Sequence, residues 1–211
     1  MNFKTLDVIG SSSSSVTGSD SIFKLKFNPR LIKYVLDWQF NHQKPRTAKT
    51  KQRNEVKGST KKIYAQKGTG QARHASIKAP LFVGGGQAHG PKGAVYKIKK
   101  INKKTKKLAL SQILAKKNSD KNLFILNDVK AEIKKTKDFY KFVIKNKLED
   151  SLIVSDKDSF KNLTRSTKNI INIKLVNEEG VNVLDIINYK NLLITSSSLK
   201  NIEKRLLNEK N

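Results

Sequence analysis

The chain has 211 residues, with 44 Lys or Arg against 17 Asp or Glu and a formal net charge of +27 at pH 7. Charge of one sign on this scale repels itself unless a polyanion neutralises it, and nucleic acid is the polyanion expected. The absence of cysteine excludes disulfides, thiolate catalysis and Cys-ligated metal or iron–sulfur sites, and no apolar run approaches the roughly 18 residues of a membrane span.

Residues 1–27 are expected to hold two short strands, FKTLDVI and SIFKLKF, with Ser11–Ser15 and Gly18 in the hairpin tip between them. Asp7 interrupts the only apolar stretch near the N-terminus, so no secretory leader is read there, and an intracellular protein with no membrane partner is expected. A helix is predicted over 29–40, with Pro29 in its first turn and Leu31, Tyr34, Val35 and Trp38 on one face. Trp38 reads as a core residue.

The segment 41–107 differs from its flanks. It holds 19 of the basic residues and one acid, Glu55, together with eight of the eleven glycines, three of the four prolines and all three histidines. It is too polar to pack on a core of its own, so an extended arm ordered against a polyanion is expected. Out and back over about fifty residues, such an arm reaches at most roughly 80 Å. At its end Lys97, Lys99, Lys100, Lys103, Lys104, Lys106 and Lys107 crowd the start of a predicted helix. Cations oppose the helix dipole there, whereas bound phosphates would suit it. Of all the basic residues, 38 are Lys and six Arg, a balance suited to positioning on a phosphate backbone more than to base readout.

Beyond residue 102 the pattern alternates. Helices are predicted at 103–117, 135–148, 158–168, 182–188 and 198–209, and strands at Leu123–Leu126, Ser151–Val154, Ile171–Val176 and Leu192–Thr195. The expected fold class is α/β: a three-layer sandwich on a mainly parallel four-stranded sheet, with the N-terminal β-hairpin and the long basic loop added. The expected organisation is 1–43, hairpin and helix of the globular domain; 44–96, the basic Gly-rich loop; and 97–211, the remainder of the globular domain.

Signs of catalysis are thin. Gly68-Thr69-Gly70 and Gly84-Gly85-Gly86 are not followed by GK[ST] and do not join a first strand to its helix, so neither is a nucleotide loop. His42, His74 and His89 have irregular spacing and no neighbouring carboxylate, so no metal and no cofactor is expected. Glu149–Asp150 and Glu178–Glu179 read as solubilising caps at turns. An RNA-processing or RNA-modifying enzyme with a substrate-gripping arm remains the alternative. It would need a constellation at the carboxyl ends of the parallel strands, where Asp128, Asp156, Asp158, Glu178, Glu179 and serines are all the sequence offers. A DNA-compacting protein lacks any DNA-reading motif.

The stretch from Arg46 to Tyr96 carries a specific resemblance. Gln66-Lys67-Gly68-Thr69-Gly70, Ala72-Arg73-His74, Ser76, Lys78-Ala79-Pro80, Phe82 and Gly84-Gly85-Gly86 follow one another as in the signature of the universal family of large-subunit ribosomal protein number four. Lys49–Lys51 and Gly58 to Lys62 agree with it upstream. Ala65, Gln71, Ala75 and His89 depart from that signature, and an arginine usual after Lys92-Gly93-Ala94 is missing. The resemblance implies a non-enzymatic constituent of the large ribosomal subunit that binds the large rRNA early and helps assembly. Its implied partners are that rRNA, neighbouring large-subunit proteins and the nascent polypeptide, in the cytoplasmic ribosome of a bacterium or in an organellar ribosome. Tyr64, Ala65, Gln66, Lys67, Gly68, Thr69 and Gly70 would line the nascent-peptide exit tunnel. The residues expected on rRNA are Arg46, Lys49, Lys51, Arg53, Lys57, Lys61, Lys62, Lys67, Gly68, Gly70, Arg73, His74, Lys78, Gly84, Gly85, Gly86 and Lys92, with Lys97, Lys99, Lys100, Lys103, Lys104, Lys106 and Lys107 at the arm's base.

Overall fold

A computed structural model describes residues 1–8, 15–93, 100–129, 131–133 and 135–207. The chain divides into two units, one of residues 1–40 with 100–211 and the other of residues 41–99.

The first unit is built on one sheet. Strand β1 (Asn2–Leu6) pairs antiparallel with β2 (Ser15–Thr17), Phe3 opposite Val16. After it in the chain come α1 (Asp20–Phe23), α2 (Pro29–Gln43), α3 (Lys103–Ser119), β3 (Leu123–Leu126), α4 (Thr136–Lys145), β4 (Ser151–Ser155), α5 (Lys157–Thr167), β5 (Ile173–Asn177), α6 (Val183–Asn188), β6 (Asn191–Thr195) and α7 (Ser196–Leu207). The strand order is β2-β1-β3-β6-β4-β5, and every pair except β1–β2 is parallel. The sheet therefore has six strands among the described residues, not four: β1 joins the parallel set through Thr5↔Ile125 and Leu6↔Leu126 and carries β2 as its antiparallel edge.

Alternation along the strands produces two cores. Leu123, Ile125, Leu152, Val154, Leu192 and Ile194 face one side, where Ile32 and Val35 of α2, Ile113 and Leu114 of α3, Ile186 of α6 and Leu199 and Ile202 of α7 cover them. Leu126, Ile153 and Leu193 face the other side, covered by Phe139, Phe142 and Val143 of α4 and Leu163 of α5. Successive strand side chains point to opposite faces, so strands apolar on both faces need helices on both, and this gives the three layers. Phe139 is fully buried, and its truncation to Ala would cost about 3–5 kcal/mol.

Three local expectations are corrected. The segment SIFKLKF is not a strand: Ile22 and Phe23 are both buried, and neighbouring side chains reach one side only from the helical turn of α1. The pairing partner of β1 is instead Ser15–Thr17, inside what reads as the hairpin tip, and Gly18 N–H closes it onto the Met1 carbonyl at 2.7 Å. On α2 the buried face is Ile32 and Val35, while Tyr34 is exposed. Trp38 is only half-buried, and the Lys106 ammonium sits 3.5 Å from its ring centroid. It is a cation seat more than a core residue.

Among its described residues the second unit has no α-helix beyond the last turn of α2, and its one β-bridge joins Lys49 to Lys92. Its backbone is nonetheless paired. Gly93 N–H donates to Ala48 O (2.8 Å), Thr50 N–H to Pro91 O (2.9 Å) and Gln87 N–H to Lys51 O (2.9 Å), so 48–51 and 87–93 run antiparallel. Farther along, Ala79, Phe82 and Gly85 donate to Ser76, Ala79 and Phe82 in successive turns, and Gly86 N–H returns to Lys78 O at 3.0 Å. Gly86 lies against the other limb so closely that a Cβ there would stand 2.3 Å from Arg53 N, so only glycine fits. The composition predicts order only against a polyanion; the hydrogen bonds give the arm a frame made of backbone contact in place of an apolar core.

Candidate nucleic-acid interface

The arm displays its charge. Lys44, Arg46, Lys49, Lys51, Arg53, Lys57, Lys61, Lys62, Lys67, Arg73 and Lys92 are all exposed, and Lys78 is half-buried. The single acid, Glu55, turns its carboxylate onto the Gln52 N–H (3.3 Å) of its own turn. Twelve cations and one internally engaged anion over residues 44–93 leave a surface whose field is positive along its length.

Between the paired base and the tip, three rings stack edge to face. Tyr64 and His74 have centroids 6.2 Å apart, and His74 and Phe82 4.9 Å. The Tyr64 hydroxyl donates to the Ala72 carbonyl. His74 is thus a packing residue at the middle of the arm, half-buried between two rings. Gln66 to Gly70 form the turn beyond them. Lys62 Nζ donates to Gln66 Oε1 at 2.6 Å. Gly68 and Gly70 take the left-handed backbone, with φ of 85° and 66°, and have open space around their Cα atoms. Lys67 and Thr69 are exposed, as is Ala65. Gly85 and Gly86 pack against Ala79 and Arg53 backbone, while Gly84 is exposed and takes the left-handed backbone (φ 80°) with open space around it.

The lysine cluster at the start of α3 is not uniform. Lys97 and Lys99 lie outside the described residues. Lys100, Lys103 and Lys104 are exposed, whereas Lys106 is engaged over Trp38 and Lys107 is half-buried with a partner of its own. The helix begins at Asn102 without a side-chain cap and without an acid in its first turn, so its first N–H groups are not answered by a local carboxylate.

The carboxyl rim of the sheet behaves differently. In doubly wound folds the crevice outside the strand ends is where ligands bind. Here Asp128, after β3, accepts from Ser197 N–H (3.0 Å) and Ser197 Oγ at the start of α7. Asp156, after β4, accepts from Ser159 N–H (3.4 Å) and caps α5. Thr195 Oγ1 donates to Ser198 Oγ at 2.8 Å. Glu178 takes Asn201 Nδ2 at 3.0 and 3.1 Å, and Glu179 pairs with Lys157 at 3.3 Å. Asp128, Asp156, Glu178 and Glu179 thus serve as helix caps and inter-element ties, and Asp158 lies in the first turn of α5. Burial holds the pKa of the Arg205 guanidinium beside Glu178 and Glu179 below its ordinary value, though those two carboxylates oppose the shift. Among the described residues no group of three or more His, Asp or Glu could hold a metal ion, and no helix is long and apolar enough to cross a membrane.

Sequence reasoning missed two features. One is the Lys106–Trp38 pair, whose members are 68 residues apart in sequence and meet only through the packing of α2 beside α3. The other is the outward display of Ile77, Leu81 and Val83 on the turns of the arm. The lack of any periodicity around them was the available signal, since it left these apolar residues without a face to bury.

The α/β domain uses most of its rim acids as caps and ties, although Ser155 Oγ, Asn177 Oδ1 and Arg205 Nη2 are buried there without a partner among the described residues, and the arm is cationic and glycine-framed, the outline of a structural protein. The sequence model of the Ribosomal protein L4/L1 family matches residues 16–205, and the chain belongs to that family, as a ribosomal protein and not an enzyme. It is similar to the large ribosomal subunit protein uL4 of Pelagibacter ubique, 48% identical over 192 residues that span 90% of this chain and 93% of the relative. The uL4 proteins of Desulforapulum autotrophicum (38% identical; 95% of this chain, 97% of the relative) and Lactobacillus delbrueckii subsp. bulgaricus (36%; 97% and 98%) are similar over nearly their whole length.

Proposed function

We propose that the chain is a structural constituent of the large ribosomal subunit in the cytoplasm of a bacterium, and that the segment 44–96 is its large-rRNA-binding element. The observation that carries this reading is the family match across residues 16–205 in a chain whose arm presents twelve cations against one acid. Each exposed Lys or Arg that meets a phosphate releases condensed counterions, which supplies sequence-independent affinity and a steep salt dependence. The glycine contacts let the two limbs lie close enough for the arm to enter a cleft between RNA helices. Association early in assembly follows, because an arm of this kind is more easily enclosed by folding RNA than inserted into finished RNA. The turn from Tyr64 to Gly70, with its two left-handed glycines, is the part that lines the nascent-peptide exit tunnel and meets the nascent chain. The first unit, capped at its carboxyl rim, anchors the arm and offers its outer faces to neighbouring large-subunit proteins.

The test is sedimentation of a lysate on a sucrose gradient. The protein is expected to co-migrate with the large subunit and to remain there after a high-salt wash. Recovery at the top of the gradient, or on the small subunit, would overturn the assignment.

A further inference from the structure

The turns at 76–86 hold a feature that charge alone does not require. Val83 is fully exposed, Leu81 is 73% exposed and Ile77 53%. Between the first two, Phe82 points the other way, half-buried with its ring 4.9 Å from that of His74. The turn that shows them is closed by Phe82 N–H to Ala79 O (3.1 Å), Gly85 N–H to Phe82 O (2.9 Å) and Gly86 N–H to Lys78 O (3.0 Å). Its tightness is such that a Cβ on Gly85 would stand 2.0 Å from Ala79 O. Two branched apolar side chains are therefore held outward by a fixed backbone, in a unit whose exposed surface carries eleven Lys or Arg side chains among its described residues and one acid.

We infer that Leu81 and Val83 form an apolar wedge that seats against an unstacked base of the rRNA, an inference that rests on the rRNA-binding reading above. Charge complementarity selects the occupant. The field around the knob, twelve cations to one acid over 44–93, fits a partner that is anionic at its rim and apolar at its centre. RNA offers phosphates around splayed base faces, and apolar side chains are used as wedges against base steps. A phosphate has nothing for a Leu or Val methyl group to contact, so the target is the base. Pre-setting the knob on a closed turn keeps the ordering cost of binding low.

The experiment uses the full chain carrying Leu81→Ser and Val83→Ser, which alter exposed positions. A second chain with Leu81→Met and Val83→Ile keeps the apolar volume. Filter binding to a transcript of bacterial large-subunit rRNA is followed across a salt series, with heparin, a polyanion without bases, as the second probe. The serine variant should lose about tenfold or more in affinity for the transcript at every salt concentration. Its salt slope and its heparin binding should match the parent, and the Met/Ile variant should bind as the parent does. Undiminished transcript affinity with a steep parental slope would overturn the wedge and leave the rRNA reading standing. So would undiminished RNA binding combined with failure to admit a neighbouring protein into a reconstituted particle, which would make the knob a protein contact. Equal losses on heparin would show that the arm itself had been disturbed, and would also overturn the wedge. A parental slope near −1 would sink the wedge and the rRNA reading together.

Discussion

The lysines at the start of α3 should separate into two kinds when each is replaced by Gln. Lys103 and Lys104 are exposed on the first turn, where the uncapped N–H groups also favour an anion. Removing both should lower the steepness of the log–log salt dependence of rRNA binding by about 1.4 to 1.8, at roughly 0.7–0.9 per phosphate contact. Lys106 is different, because its ammonium lies 3.5 Å from the Trp38 centroid. A half-buried cation–π contact of that geometry stabilises by about 1 kcal/mol, between the exposed and desolvated limits of roughly 0.5 and 2. Lys106→Gln should therefore lower the unfolding free energy by about that amount, or Tm by about 2–4 °C for a unit of this size, and change the salt slope by less than one contact. Trp38 is the only tryptophan, so its fluorescence reports the local environment directly. A double-mutant cycle with Trp38→Leu, read by far-ultraviolet circular dichroism in urea because the Leu variant lacks the probe, isolates the pair. A coupling energy near zero, together with a loss of salt slope from Lys106→Gln alone as large as that from Lys103 and Lys104 together, would refute the distinction.

Three further outcomes follow from the same contacts. Gly86→Ala places a methyl group 2.3 Å from Arg53 N and should loosen the two limbs, seen as faster amide exchange at Gly86, Gln87 and Thr50 with β3–β6 protection unaltered; unchanged exchange would mean the limbs are not held by that approach. Asp128→Ala removes the acceptor at the start of α7 and should cost about 0.5–2 kcal/mol of stability while leaving rRNA affinity intact; lost RNA binding with intact stability would instead point to a ligand site at the rim. Asp20 is held below its ordinary pKa of 3.8 by its Lys24 hydrogen bond first and the N-terminal ammonium second. A depressed carboxylate contributes stability above its unfolded pKa and loses it as pH falls through the folded value, so the stability gap between parent and Asp20→Asn should close as the pH falls below the ordinary value of 3.8; a gap that widened on acidification would reverse the sign.

The α/β half of the molecule is legible because its strands obey a simple constraint. Leu123–Leu126 is apolar at all four positions, and a run with no polar alternation needs cover on both faces, hence helices on both sides and parallel crossovers. What misled was a true alternation in the wrong place. Phe23, Lys24, Leu25, Lys26 and Phe27 have the period of a strand, yet Phe27 is exposed and the burial falls on Ile22 and Phe23, adjacent in sequence. Tertiary demand for two neighbours on one side selected a helical turn over the local pattern. The membership of β1 in the parallel set was equally hidden, since pairing across 120 residues leaves no mark in either strand.

The arm is legible in composition and opaque in geometry, and the reason is physical. Apolar periodicity reports side chains buried against side chains, but residues 48–93 are held chiefly by backbone against backbone, with glycine where the limbs touch. Contact of that kind leaves the side chains unneeded for folding and therefore free to be charged. A small apolar core of ordinary density would have needed several large residues on the inner surface and would have thickened the arm. The aromatic trio of Tyr64, His74 and Phe82 is the ring cluster among the described residues of the arm, and it lies between the tip and the paired base. That placement lets the turn at Gln66–Gly70 keep two left-handed glycines and almost no bulk while the rings behind it fix its direction. A segment framed by backbone and glycine needs little side-chain packing, and that is what removes its pattern from the sequence.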